Sequence, residues 1–595
     1  MEHDLPEETL TTRSDLRFIL AQLPLFRELA VETVRLIAAE CVWLSLPGGA
    51  TLFEAGDSSD AMYVLLAGGL ATVSTDQDGR PFVQDRIVPG ETVGEMGVVS
   101  GRSRSASVVA LRDSELLRLS AAAFDQIFKQ HPEAMLSIAR LTVSRLEATI
   151  SGHARAHATA PRTFAVVPHN LAVDVVGFAT ALVAALRPFG KVELVWSVRG
   201  ADHTSHWFDK IEAANDFVVY VADHEASSWS KLCIRQADAH LLIANATDEV
   251  EPWPAMQDVR CARVVSQHTE LILLHDDVLR RAAVARWLQM LPGVPFHHVL
   301  STADVQRVAR LLTGNAVGLV LSGGGARGFA HLGVVKALRE HGVPIDLVGG
   351  TSIGAIMGAA VAHRWDDAHL LEVFRRTFVD SNPLADYTWP IVSLVSGRRV
   401  SQRLRKEFGD TTIEDLPLPF YCVSTNLTRG TAAVHRSGEL WRWLRASVAI
   451  PGVLPPVMSG GEVFVDGATI NNLPVDIMRD MRRGRVIGVD VAADRAFTTE
   501  VDDVDAPPFW KLMHLFAKRR RRPNILQVLW RSGMVNSTAA TAARREQTDL
   551  LLQPALEDVD LLNWRACDRA IQSGYAHAMT RLAGLSTPLT GVVSQ

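Results

Sequence analysis

Residues 319–333 read LVLSGGGARGFAHLG. An apolar run ends on three glycines, and GFAHLGVVKAL then restarts with helical period. A strand that stops on glycines and resumes as a helix is the pattern of an α/β fold. Gly323, Gly325 and Gly328 also satisfy G-x-G-x-x-G, the written form of a loop that holds pyrophosphate at a helix N-terminus. The stretch therefore poses a question: which negative charge does this loop serve?

Residues 346–359, DLVGGTSIGAIMGA, repeat the strand-to-helix switch. Gly350, Ser352 and Gly354 form G-x-S-x-G. A serine at so sharp a turn presents its hydroxyl, and flanking glycines remove side chains that would clash. If Ser352 attacks an ester, the carbonyl oxygen becomes an oxyanion that needs pre-aimed amide donors. The loop Gly323, Gly324, Gly325, Ala326, Arg327, Gly328 can bring backbone N–H groups to it, with Arg327 adding charge or bracing the loop. The dinucleotide reading requires an acid at the end of the second strand. The nearby acid, Asp346, stands at its start, so that reading is the weaker.

A serine nucleophile needs a base. His363, His369, His435, His514 and His577 lie in segments without distinctive turn chemistry, and His331 reads as a packing residue in the first helical turns. In residues 460–474, GGEVFVDGATINNLP, Asp466 ends a strand before a glycine, where a carboxylate can reach a site at the sheet's edge. A free aspartate, pKa ~3.9, is a poor base at neutral pH, so its surroundings must tune it. The alternative is that Asp466 only forms a turn with Gly467.

GGGARG, GTSIG and DGA, in that order and spacing, resemble the patatin-like phospholipase family. The longer strings GNAVGLVLSGGGARGFAHLGVVKAL, LWRWLRASVAIPGVLPP and DGATINNLPVDI are similar to its neuropathy target esterase branch, as is WSKLCIRQADAHLLIA further upstream. The resemblance implies a Ser–Asp dyad with Ser352 as nucleophile and Asp466 as base. It also implies Gly323–Gly328 as oxyanion hole, Gly350 and Gly354 as the elbow glycines, and hydrolysis of acyl esters of phospholipids, lysophospholipids foremost. No metal or catalytic cofactor is expected. Eukaryotic members begin with a membrane-spanning helix and several cyclic-nucleotide-like domains, whereas this sequence shows one such domain and no span.

That domain is read at residues 41–120, where short strands alternate with glycine turns in the manner of a small β jelly roll, between helical patterns at about 15–40 and 121–150. Residues 93–108, VGEMGVVSGRSRSASV, resemble the phosphate-binding cassette of cyclic-nucleotide-binding domains. A carboxylate can accept from a ribose hydroxyl, and a guanidinium can grip a cyclic phosphate. The resemblance gives Glu95 the ribose, Arg104 and Ser105 the phosphate, and turn amides from Gly94 further contacts; Arg102 is the poorer candidate. Cyclic AMP or cyclic GMP would be an effector. The alternative is a docking barrel in which Glu95 and Arg104 pair with each other. Gly48, Gly56, Gly68 and Gly90 match the glycine turns of such a barrel.

The expected fold is multidomain: a jelly-roll domain with flanking helices at 15–150, a linker at 151–161, an α/β domain of structural or docking role at 162–300, and an α/β patatin-like hydrolase domain at 310–585 with core motifs at 316–480. The central segment's first strand runs into HNLAVDVV, with no glycine loop and no Lys-Ser/Thr pair, so no nucleotide is placed there.

Composition agrees with a globular chain. Of 595 residues, 48% are hydrophobic and 21% charged, enough apolar material for several cores. The net charge of −6 gives no reason to expect nucleic acid. Cys41, Cys233, Cys261, Cys422 and Cys567 are scattered, which fits a reducing compartment better than a disulfide framework or zinc site. The acidic start is not a secretory signal, and no run approaches the ~20 apolar residues of a spanning helix. The expected location is cytoplasmic or peripheral on a membrane. Residues 509–530, FWKLMHLFAKRRRRPNILQVLW, join apolar side chains to Lys518, Arg519, Arg520, Arg521 and Arg522. They suit an anionic lipid surface or, equally, a helix whose apolar face packs on the core. The competing function is a catalytically silent, cyclic-nucleotide-responsive scaffold using the patatin fold for lipid binding. Such a chain would be expected to lose Ser352 or Asp466, and both are present.

Overall fold

A computed structural model of the chain describes residues 20, 30–75, 81–130, 161–201, 205–256, 269–381, 383–389, 391–492, 537, 540–585 and 589. The chain divides into two units, residues 1–245 with 249–272, and residues 246–248 with 273–595.

The first unit opens with eight short strands: β1 Val42–Leu46, β2 Thr51–Phe53, β3 Ala61–Ala67, β4 Leu70–Thr75, β5 Pro81–Ile87, β6 Thr92–Val93, β7 Ser107–Ala110 and β8 Ser114–Ser120. They form two four-stranded sheets, ordered β1-β8-β3-β6 and β2-β7-β4-β5. The period-2 alternation of β3 explains the layering. Tyr63 and Leu65 join Leu70, Val108 and Leu116 in one core cluster. Met62 and Val64 join a second cluster with Val34 and Ile37 of the helix Val31–Glu40 and Phe124 of the helix Ala121–Gln130. The jelly roll is as expected, and Gly56, Gly68 and Gly90 do take positive φ at its turns. At the first turn Gly49, not Gly48, has φ 85°.

Next come β9 Thr163–Pro168, β10 Val192–Val195, β11 Phe217–Val221, β12 Ala239–Asn245 and β13 Thr269–Leu274, in sheet order β10-β11-β9-β12-β13. β10, β11, β9 and β12 pair in parallel. β9 is buried along its whole length, as a central parallel strand should be. The N-terminus of the following helix, Val175–Leu186, is capped by its own Asp174, which accepts from the Gly177 amide. The β7–β8 turn is tied to this α/β part of the unit. Asp113 accepts two bonds from Arg235, at 2.9 and 3.1 Å, and Arg112 bonds to Glu212.

In the second unit, β14 Phe296–Val299 leads into the helix Thr302–Leu312. Then come β15 Ala316–Leu321, β16 Leu347–Thr351, β17 Phe420–Asn426, β18 Thr431–His435, β19 Val457–Ser459, β20 Glu462–Asp466, β21 Gly484–Val489 and β22 Leu550–Leu552. They make a sheet ordered β19-β20-β17-β16-β15-β21-β22, with β18 also on β17. β16, β15, β21 and β22 run parallel. On one face of the sheet Leu319, Val348 and Ile487 pack beside Val335, Met357 and Ala570 from helices, and on the other Val320, Leu347 and Val486 join Val475 and Met478. Among the described residues no helix is long and apolar enough to cross a membrane.

Candidate active site

β17 brings the two chemical residues together. One edge of β17 carries β18 over Cys422–Asn426. The other edge pairs with β16 as far as Val423, opposite Thr351, and then with β20 from Ser424, opposite Asp466. The end of β16 and the end of β20 therefore meet at adjacent rungs of one strand. Ser352 follows Thr351, and Asp466 closes β20.

Ser352 stands between β16 and the helix Ile353–Ala362 at φ 55°, ψ −126°. That conformation is strained for a residue with a side chain. It turns the hydroxyl out of both elements. A Cβ on Gly350 would stand 2.5 Å from the Gly354 carbonyl oxygen, and one on Gly354 would strike the carbonyl oxygens of Leu321 and Ser322. G-x-S-x-G is here a demand of backbone meeting backbone.

The Ser352 hydroxyl donates to Asp466 Oδ2 at 2.8 Å. Asp466 Oδ1 accepts the Ala468 amide at 2.9 Å. One oxygen thus serves the turn and the other faces the serine. Asp466 is 0% exposed. Burial pushes its carboxyl up to about 7, against the opposing pull of the Ala468 amide and the Ser352 hydroxyl. A carboxylate tuned to neutrality can take a proton that an ordinary aspartate would leave in place.

The glycine loop borders this pair: a Cβ on Gly323 would stand 3.0 Å from Ser352 Cβ. Several loop amides are already engaged. Gly323 donates to Asn472 O, Ala326 to Leu561 O at 2.8 Å, and Arg327 to Gly324 O. The amides of Gly324 and Gly325, at the N-terminal edge of the 3-10 turn Gly325–Phe329, have no acceptor among the described residues. Gly325 has φ +56°, and a Cβ there would strike Leu561 O; one on Gly328 would strike Ile353. The Arg327 side chain is buried, with Nε donating to Val559 O at 2.6 Å, so it braces the loop.

Sequence reasoning missed the residues that hold this arrangement. Ser447 Oγ accepts the Ser352 amide at 2.9 Å and donates to Val423 O at 2.6 Å. Asn472 bonds Gly323 through both its carbonyl and its side-chain amide. The Asn471 carbonyl accepts Thr351 Oγ1. The pair in DGATINNLP was the one visible signal. Asp346 is occupied elsewhere, with two bonds from Arg310 and one from the Val317 amide. His331 is fully buried, bonds Ser322 O at 2.9 Å, and is pushed by burial down to about 4. His435 stacks on Trp443 and bonds Ser424.

In the first unit, Gly94 takes φ 84° and caps the short helix Glu95–Ser100, with Glu95 buried. Arg104 is buried beside it. Its Nη1 donates to Gly94 O at 2.9 Å, its Nη2 to Ala61 O at 2.6 Å, and the guanidinium lies over Phe53. Its Nη2 also lies 3.4 Å from the Asp60 carboxylate. Arg104 Nε is buried without a partner among the described residues. An anion at that edge would give it one, so the residues present fit a cyclic phosphate. Ser105 is exposed. Lys518, Arg519, Arg520, Arg521 and Arg522 lie outside the described residues.

Three family models match the chain. They are a cyclic nucleotide-binding domain at residues 43–131, a neuropathy target esterase family P-loop like domain at 161–315, and a patatin-like phospholipase at 319–479. Lysophospholipase nte1 of Neosartorya fischeri is 30% identical over 98% of this chain and 44% of its own length. Patatin-like phospholipase domain-containing protein 7 of Rattus norvegicus is 29% identical over 91% of this chain and 45% of its own length. The chain thus spans less than half the length of these curated relatives. The crystal structure of Thermus thermophilus catabolite activator protein is 26% identical, covering 28% of this chain and 68% of that one, with a TM-score of 0.21. In that order the chain carries a cyclic nucleotide-binding domain, the P-loop like domain of the neuropathy target esterase family and a patatin-like phospholipase domain.

Proposed function

We propose that the chain is a serine hydrolase cleaving acyl esters of phospholipids, lysophospholipids foremost. The observation that carries this is the 2.8 Å bond from Ser352 Oγ to a buried Asp466 whose carboxyl is pushed up to about 7. Asp466 takes the Ser352 proton as Oγ attacks the acyl carbon. The Gly324 and Gly325 amides receive the oxyanion. As it collapses, Asp466 returns the proton to the departing alcohol and an acyl-serine remains. A water then gives its proton to Asp466 and attacks, and the fatty acid leaves with Ser352 reprotonated. Gly323, Ala326, Arg327 and Gly328 shape the loop, and Gly350 and Gly354 the elbow.

The proposed domains are a cyclic-nucleotide-binding-like barrel at 15–150, a linker at 151–161, an α/β domain of structural or docking role at 162–300 and the patatin-like hydrolase at 310–585. Cyclic AMP or cyclic GMP, held by Gly94, Glu95, Arg104 and Ser105, is the proposed effector. It can act only by binding two arrangements of the chain unequally. The tie from the β7–β8 turn to Arg235 and Glu212 supports that reading, because it fastens the barrel to the α/β part of the same unit. The proposed location is cytoplasmic, with peripheral membrane contact through Lys518–Arg522 and no nucleic-acid partner.

The test is fatty-acid release from a lysophospholipid by the purified chain and by Ser352→Ala. Release that vanishes in the variant is the expected result. Release that persists assigns the chemistry to another group.

A further inference from the structure

The segment between the helices Asp367–Phe374 and Arg398–Phe408 contains a small hairpin with an unusual surface. Its stalk is fixed. Ser396 N donates to Asp386 O at 2.8 Å, Tyr387 pairs antiparallel with Val395, and Thr388 N donates to Leu394 O at 3.0 Å. Asp386 Oδ2 accepts the Ser396 hydroxyl and the Arg399 amide. Val395 is in the core. The outward surface is the opposite: Tyr387 on the stalk is 79% exposed, and at the tip Trp389 is 86%, Ile391 90% and Val392 62% exposed. Lone exposed hydrophobics are ordinary, but four together on an ordered stalk mark a surface made to meet something apolar.

Charge says what. Arg398 and Arg399, both exposed, stand at the base of the hairpin. Aromatic and aliphatic side chains beyond a pair of cations match the cross-section of an anionic bilayer, whose phosphates lie outside its acyl chains. The stalk also leads to the dyad. Leu394 and Val395 donate to Gly452 O and Val453 O, and three residues earlier the Ala449 carbonyl accepts the Asp466 amide.

We propose that this hairpin docks the chain on lipid, with Tyr387, Trp389, Ile391 and Val392 entering the acyl boundary and Arg398 and Arg399 meeting anionic headgroups. It would deliver the Ser352 site to its substrate's surface, separately from Lys518–Arg522. The purpose rests on the phospholipid-ester reading; the docking itself does not.

The experiment is flotation of the full chain with phosphatidylcholine vesicles containing or lacking phosphatidylserine, alongside turnover of a soluble short-chain ester. The variants are Trp389→Ser with Ile391→Ser, and Arg398→Glu with Arg399→Glu. The first pair is expected to bind vesicles at least about tenfold more weakly, as the loss of two buried apolar side chains dictates, with ester turnover unchanged. The second is expected to lose the preference for phosphatidylserine. Unchanged flotation of the first pair overturns the proposal, as does a wild-type chain that never floats. So does a dimer that the serine pair converts to monomer without altering flotation, since a second copy would then cover the tip. A serine pair that melts early and loses ester turnover overturns it too, because the tip would then pack on its own chain. Vesicle binding that responds as expected in a chain without ester turnover leaves the docking standing and removes the hydrolase reading.

Discussion

The hydroxyl of Ser447 lies between Ser352 and Val423, accepting the amide of the first and donating to the carbonyl of the second. It fastens the elbow to β17, the strand whose edge also carries Asp466. Ser447→Ala leaves the Ser352 amide buried without an acceptor, which costs about 1–3 kcal/mol. A lower melting temperature is expected, with kcat reduced roughly tenfold and KM little changed. Steady-state kinetics that show the loss in KM instead would assign Ser447 to substrate binding.

Asp466 carries a sign that can be read in stability. Its folded pKa, about 7, lies above the ordinary value of 3.8. Between those values the folded chain holds a proton that the unfolded chain has released, so this group's stabilising contribution falls as pH rises through the interval. Asp466→Asn removes the titration. The variant is expected to gain stability relative to wild type from pH 5 to pH 8, measured by denaturant unfolding at each pH.

On the proposed mechanism the same group sets the activity profile. The base must be ionised, so kcat/KM should rise with pH along a limb of apparent pKa near 7. Asp466→Asn should be inactive across the range. A wild-type limb near pH 4 would mean that the serine is activated by something other than this carboxylate.

Gly325 tests the loop. Its φ of +56° and its closeness to Leu561 O leave no room for a methyl group. Gly325→Ala should displace the Gly324 and Gly325 amides and lower kcat by ~10²–10³, the cost of a lost oxyanion donor. Gly342→Ala, also at positive φ but with open space around it, is the control that should leave kcat intact.

The proposed nucleotide pocket is tested by calorimetry with cyclic AMP and cyclic GMP. Glu95→Gln should weaken binding at least about tenfold, since a charged acceptor is lost. Arg104→Leu should abolish binding and also lower the melting temperature, because its guanidinium holds the carbonyls of Gly94 and Ala61 together.

The elbow and the glycine loop were legible in the sequence because their glycines answer to backbone geometry, which leaves a mark at fixed spacing. The jelly roll was legible for the same reason at Gly56, Gly68 and Gly90. Asp466 was legible as a strand-end carboxylate within reach of the site, but the choice between a base for Ser352 and a plain turn with Gly467 came through resemblance. The adjacency of Ser352 and Asp466 depends on where β16 stops and β20 starts along one edge of β17, and no local pattern encodes a register between strands so far apart in the chain. Ser447 and Asn472 were missed because a serine in a helix and an asparagine in a loop have many uses. The hairpin tip was missed because Trp389 and Ile391 look like core residues until their surroundings are known.

The two oxygens of Asp466 have one further consequence. Sites that orient a histidine base commonly use a third side chain to hold it. Here the carboxylate is oriented by the Ala468 amide, a group every residue but proline supplies. No single change of side chain at position 468 short of proline deletes that contact. In evolutionary terms the proposed reacting pair is a small target: drift can silence it by changing Ser352 or Asp466, while the device that aims the carboxylate is copied wherever the fold is copied.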